Sequence, residues 1–420
     1  MDSSPSKTAR RIEVRVECIF IGEELLRGSV INTNAAYIGK RLMACGFTVS
    51  AHACIPDSDE AIERAIGEAL GRADLVLTTG GLGPTLDDVT RKSLAKLFDT
   101  ELVLKEELLA DLKKRYGNRD LSLENQATIP RTAHALPNSI GTAFGLVLEK
   151  KRGQGGCTLI ALPGVPVEMK ALFEEQVVPF LKKRYSKQLP LATDSLHLFG
   201  VSESTIDPIL RKLEPLHPGV RFGIYPSDGL LTITLTASSK ERLFPIKAAL
   251  QNAFARNWFE SQAGLLEEAI LRWMVSHQKT LALAESCTGG RVAAKLTSIP
   301  GASDYFLGSF VTYSEQLKTN CLGVLPATLA QKGAVSEETT LEMLGGLFNH
   351  TAADYGLAVT GLAGPGPSDS TLPVGTCFIA AGERGHRPCV EKYSFPFGRE
   401  KTQLLATNFA LGLLYQILQK

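Results

Sequence analysis

What most constrains this chain is an alternation: apolar runs of strand length repeatedly give way to stretches of helical periodicity. VECIFI (16–21) begins as a strand, and TNAAYIGKRLMACGF (33–47) reads as a helix closed by Gly46. TVSAHACIP (48–56) is strand-like, SDEAIERAIGEALGRA (58–73) helical, and ADLVLTTGG (73–81) a buried strand entering a glycine-rich turn. The pattern continues through GCTLIALPG (156–164) and a helix over 167–184. Strands that alternate with helices in this way specify an α/β domain with a mainly parallel sheet. At 420 residues the chain exceeds what one core organises, so several domains are expected.

Three regions follow from the pattern. The first spans 12–184. In the second, 189–260, the order changes to a strand (195–201), a helix (204–214), two strands joined at Pro226-Ser227-Asp228-Gly229, and a closing helix (240–258). Pro245 must sit in the first turn of that helix or kink it. This is an α+β segment. The third, 262–420, returns to α/β alternation, from the helix 265–278 and the strand TLALAES (280–286) to a long final helix (399–419).

Composition narrows the setting. Hydrophobic residues at 44% and charged residues at 21% describe an ordinary globular protein, and a net charge of +1 gives no bulk attraction to nucleic acid or anionic lipid. No apolar run is long enough for a membrane span. The 8 cysteines are scattered without a C-x-x-C pair, and the 7 histidines form no H-E-x-x-H, which fits reduced thiols in a cytoplasmic protein.

Two turns carry candidate chemistry. In TTGGLGPTLDDVT (78–90), Gly80, Gly81 and Gly83 let backbone amides approach a ligand, and Asp87 and Asp88 are candidates for a divalent ion bridging phosphates. The plainer reading is a strand-to-helix turn with Asp88 as N-cap. In AESCTGG (284–290), Ser286, Cys287 and Thr288 precede Gly289 and Gly290 at the start of a helix. A serine nucleophile needs a base, and no histidine is near, but FVTYSEQLK (310–318) offers Tyr313 and Lys318. A lysine kept neutral by desolvation can accept a serine proton. The plainer reading has Ser286 or Thr288 capping the helix and Lys318 solvated. The Gly/Pro loop 361–375 leaves a strand that, if parallel to TLALAES, opens on the same sheet edge.

The ordered set of motifs resembles the CinA family, the competence/damage-inducible proteins. ESCTGG, PGASDYFLGSFVTYSEQLK, GAVSE, TGLAGPGPS and LPVGT occur in family order in the third region. GEELL, NTN, TGGLGPTLDDVT, NQA, GTAFG and LPGVPVEM do so in the first. The resemblance implies a MogA/MoaB-like three-layer α/β domain, a small KH-like α+β domain and a C-terminal α/β deamidase domain. It implies conversion of nicotinamide mononucleotide to nicotinic acid mononucleotide and ammonia, in pyridine-nucleotide salvage, by a cytoplasmic homodimer.

Carried onto this sequence, the resemblance makes Ser286 the nucleophile, with Lys318 and Tyr313 managing its proton. Amides around Cys287, Thr288, Gly289 and Gly290 hold the oxyanion, without a cofactor. Thr360 and Gly361 contact the nucleotide and Arg399 its 5′-phosphate. In the first domain it implies ADP-ribose pyrophosphatase activity that uses a divalent metal, with K+, at Glu24, Asp87 and Asp88. Gly80, Gly81, Gly83, Thr85 and Asn34 form the nucleotide site there. The middle segment lacks a G-x-x-G loop, so no nucleic-acid partner is assigned. Here Leu372 stands where the family has lysine, and Phe397-Gly398 precedes Arg399 in place of Gly-Asp. A nucleotide-binding protein without turnover is therefore a further alternative.

Overall fold

A computed structural model describes residues 14–85, 88–117, 122–152, 155–186, 191–366 and 372–420. The chain forms two compact units, Met1–Ala192 and Thr193–Lys420.

The first unit contains β1 (Val16–Ile21), β2 (Val49–Ile55), β3 (Leu75–Thr79), β4 (Leu102–Leu104), β5 (Thr128–Pro130), β6 (His134–Leu136), β7 (Gly145–Arg152) and β8 (Gly155–Leu162). Six of them form one sheet in the order β2-β1-β3-β8-β7-β6, while β4 and β5 make a separate ribbon. β2, β1, β3 and β8 run parallel, and β7 and β6 antiparallel. Side chains alternate across a strand, so β3 sends Leu75 and Leu77 to one face and Val76 to the other. Ile38, Leu42, Met169 and Phe173 from helices cover the first face, and Ile62, Ile66 and Leu94 cover the second. This is the three-layer arrangement expected of the first region.

The second unit contains β9 (Ala192–Phe199), β10 (Arg221–Ser227), β11 (Leu230–Ala237) and β12 (Trp258–Phe259), arranged β10-β11-β9-β12. β10 and β11 form the expected hairpin, turning at Asp228 (φ 50°) and Gly229 (φ 82°). Pro245 sits in the first turn of the helix Phe244–Ala253 and does not kink it. A five-stranded sheet follows: β13 (Leu281–Glu285), β14 (Phe306–Val311), β15 (Tyr355–Gly361), β16 (Thr376–Glu383) and β17 (Cys389–Ser394), in the order β14-β13-β15-β16-β17. β14, β13 and β15 are parallel, and β16 and β17 antiparallel.

Alternation again assigns the faces. Leu281, Leu283, Leu357, Val359 and Ile379 pack against helices Leu266–Ser276, Arg291–Thr297 and Arg399–Leu418. Ala282, Ala284, Ala358 and Ala380 face Met343, Leu344 and Leu347 of the helix Glu337–His350. Among the described residues, no helix is long and apolar enough to cross a membrane.

Candidate active site

The site in the second unit lies where three parallel strands end. Glu285 of β13 is in register with Val311 of β14 and Val359 of β15. Ser286 and Thr312 therefore leave the sheet beside Thr360, the next residue of β15, at the usual ligand edge of such a sheet. The condition placed on the loop 361–375 is met.

Lys318, on the helix Glu315–Leu322, is only 1% exposed. Its Nζ donates to Ser286 Oγ at 2.8 Å and to the Thr312 carbonyl at 2.7 Å. Burial lowers the Lys318 pKa from 10.5 to about 8, against the raising influence of Cys287 and Glu315. The Cys287 thiol puts no anion beside it: a hydrogen bond to Cys377, then burial, raises its pKa well above the ordinary thiol value. Lys318 is thus not the solvated surface charge of the plainer reading.

Nor is the serine turn a side-chain cap. The helix Arg291–Thr297 starts after Gly290 (φ 90°) with no side-chain hydrogen bond from its N-cap. The sequence reading missed Glu285. It is 1% exposed and accepts from Thr288 Oγ1 (2.8 Å), Gly290 N (3.0 Å) and Val292 N (3.1 Å) on one oxygen. Ala293 N (3.0 Å) and Ser309 Oγ (3.1 Å) donate to the other. Isolated burial of a carboxylate is costly, and five donors offset that cost. The signal in sequence was a charged residue ending an otherwise apolar strand. Gln403 was also missed, and its Nε2 donates to the Cys287 carbonyl at 2.8 Å.

Tyr313 and Arg399 come together. Tyr313 is 56% exposed, and its hydroxyl accepts from Arg399 Nη2 at 2.6 Å, while Arg399 Nη1 donates to the Gly364 carbonyl at 2.7 Å. Only the Tyr313 carbonyl reaches Lys318, at 3.5 Å; no hydrogen bond joins the phenol to Ser286 or Lys318 among the described residues. Thr360 is buried and its hydroxyl donates to the Ala334 carbonyl at 2.8 Å, which leaves the oxygen's acceptor side for a ligand. At Gly361 a Cβ would lie 2.5 Å from Cys377 Sγ and 3.1 Å from Cys287 Sγ, so only glycine fits beside the thiol pair.

The first unit has a cleft of about 510 Å³ that gathers Glu24, Asn34, Gly80, Gly81, Gly83 and Asp88. Gly80 (φ 108°) and Gly81 (φ 66°) adopt backbone that other residues avoid. Asn34 Nδ2 donates to the Gly164 carbonyl at 2.8 Å, while its Oδ1 is buried without a partner among the described residues. Gln126, also on the cleft, is buried, and neither of its amide atoms has a partner among the described residues. Asp88 is not the N-cap of the plainer reading, because Val89 holds that position. Asp88 Oδ2 instead accepts from the Thr85 amide (2.9 Å) and hydroxyl. Thr85 is not among the cleft-lining residues. Asp87 lies outside the described residues. Among those described, no three acidic, histidine or cysteine side chains converge to hold a metal ion. Glu24 and Asp88 line the cleft together with Asp57 and Glu168.

Fold and sites together define a class: α/β proteins that join a molybdopterin-binding-type domain to a separate α/β domain with a buried serine–lysine pair. Residues 17–183 match the family described as "Probable molybdopterin binding domain", and residues 264–418 the "CinA C-terminal domain". The chain belongs to the CinA family. A CinA-like protein of Gloeobacter violaceus is 38% identical over 411 residues, 95% of this chain and 95% of that protein. A CinA-like protein of Endomicrobium trichonymphae is 37% identical over 425 residues, 96% of this chain and 98% of that protein. Among solved structures, competence/damage inducible protein CihA from Agrobacterium tumefaciens is 35% identical, over 37% of this chain and 94% of its own, with a TM-score of 0.36.

Proposed function

We propose that the second unit is a nicotinamide mononucleotide deamidase working through a serine acyl-enzyme. The observation that carries this reading is the buried 2.8 Å contact between Lys318 Nζ and Ser286 Oγ. Neutral Lys318 takes the Ser286 proton as Oγ attacks the carboxamide carbon. The tetrahedral intermediate collapses, the proton passes from Lys318 to the leaving nitrogen, and ammonia departs. Water, deprotonated by the same lysine, then hydrolyses the ester to nicotinic acid mononucleotide and free serine. No metal enters these steps. Arg399, held by Tyr313 and Gly364, faces the substrate phosphate, to which a guanidinium can bind with two parallel hydrogen bonds. The test is ammonia release from nicotinamide mononucleotide by the purified chain. Activity that survives Ser286→Ala but dies with Cys287→Ala would falsify the serine mechanism.

A second reading concerns the first unit, and the unpaired polar atoms of Asn34 and Gln126 favour it. We propose that this cleft binds a nucleotide such as ADP-ribose, its phosphates against the Gly80–Gly83 turn and its polar base edge on Gln126. Calorimetric titration of wild type and Gln126→Leu with ADP-ribose tests it, and equal affinities would refute the assignment.

A further inference from the structure

All but two backbone amides of the serine turn can be followed to an acceptor among the described residues. Ser286 N donates to the Val359 carbonyl, Gly289 N to Ser286, Arg291 N to Thr288 and Ala294 N to Gly290. Gly290, Val292 and Ala293 donate to the Glu285 carboxylate. From 286 to 294, Cys287 and Thr288 alone have amides with no oxygen acceptor among the described residues. The four amides expected to hold an oxyanion thus reduce to two, since those of Gly289 and Gly290 are already engaged.

Two side chains fix that pair. Glu285 binds the turn from below through the Thr288 hydroxyl and three amides beyond it, so Thr288 cannot swing away from the strand end. Gln403 acts on the peptide between Cys287 and Thr288. It donates to the Cys287 carbonyl, and in a trans peptide the Thr288 N–H points to the opposite side. Donation to a carbonyl also polarises the N–H of the same amide, making it a stronger donor.

We infer that Gln403 and Glu285 are positioning residues, which aim the Cys287 and Thr288 amides that remain of the four expected to hold the oxyanion. The inference rests on the amidase reading above and says which groups stabilise its tetrahedral intermediate. Neither side chain touches substrate. Each acts on the charge that develops on the carboxamide oxygen in the transition state, so each belongs in kcat and not in KM.

The experiment compares full-length wild type, Gln403→Leu and Glu285→Gln, following ammonia release from nicotinamide mononucleotide across substrate concentration and from about pH 6 to about pH 9.5. Deleting an oxyanion donor outright lowers kcat about a hundred- to a thousandfold, and misaiming one costs less. Both variants should therefore lose about ten- to a hundredfold in kcat, with KM within about threefold of wild type. The pH midpoint set by Lys318 should not move. A Gln403→Leu enzyme with kcat within about twofold of wild type overturns the inference. So does a loss carried by KM, or a displaced pH midpoint. Should Glu285→Gln not fold, Gln403→Leu decides alone. A wild type that releases no ammonia removes the amidase reading and this inference with it, whereas an active wild type with unaffected variants removes only the inference.

Discussion

At Lys318 one side chain couples chemistry to stability. With a pKa of about 8, about a tenth of the lysine is neutral at pH 7, and the fraction rises through pH 8. Ammonia release by wild type should therefore climb with pH to a plateau above about pH 9, following one ionisation. Stability follows by linkage. In the unfolded chain the lysine titrates near 10.5, so between about 8 and 10.5 the unfolded state holds more protons. Stability of the folded state rises with pH across that window, and the penalty for burying the ammonium applies fully below it. Lys318→Met should abolish turnover yet melt no lower than wild type at pH 7, because it removes a buried charge that forms no salt bridge among the described residues. A large fall in melting temperature would refute this account. Ser286→Ala should cost at least about a thousandfold in kcat, while Cys287→Ala, which removes a protonated thiol, should stay within about tenfold.

Among the elements, the helix Glu337–His350 is the sharpest case of neighbouring glycines with opposite roles. A Cβ on Gly346 would sit 1.7 Å from the Leu322 carbonyl oxygen, where the backbone cannot yield. Gly345 is exposed, and its Cβ would meet nothing within 4 Å. Gly346→Ala should lose about 1–3 kcal/mol by overpacking. Gly345→Ala should gain about 0.5–1 kcal/mol from lower unfolded-state entropy and better helix propensity. Urea unfolding midpoints of the two variants would move in opposite directions, and a shared direction would show the packing argument wrong. Which glycine was indispensable depended on Leu322, which belongs to another helix.

On the scale of the whole molecule, each unit carries its own candidate site, and the two are expected to respond separately. Chelation with EDTA should leave ammonia release from nicotinamide mononucleotide unchanged, since Ser286 and Lys318 suffice for it. Gln126→Leu should weaken ADP-ribose binding by about ten- to a hundredfold and leave the deamidase rate alone. Loss of both activities together would refute separate sites. Within the second unit, the final helix links the small sheet to the serine site. Gln403 holds the Cys287 carbonyl, Lys401 pairs with Asp228 of the β10–β11 hairpin, and Asn408 Nδ2 donates to the Asp228 carbonyl at 2.8 Å. Nothing in the pattern of residues 399–418 announced that link, because a hairpin about 180 positions away supplies the partner.

By itself the sequence determined the α/β class, the strand–helix alternation and the glycine-rich turns, because periodicity and glycine backbone freedom are local properties. It also named Ser286 and Lys318, through motifs and spacing. Tertiary structure alone decided that Lys318 is buried against Ser286 and that Tyr313 turns its hydroxyl to Arg399. It also left Glu285 with five donors, and two amides of the turn without an oxygen acceptor among the described residues. Those are matters of desolvation and of which donors converge on which acceptors, and they arise only when strands distant in sequence end at one sheet edge.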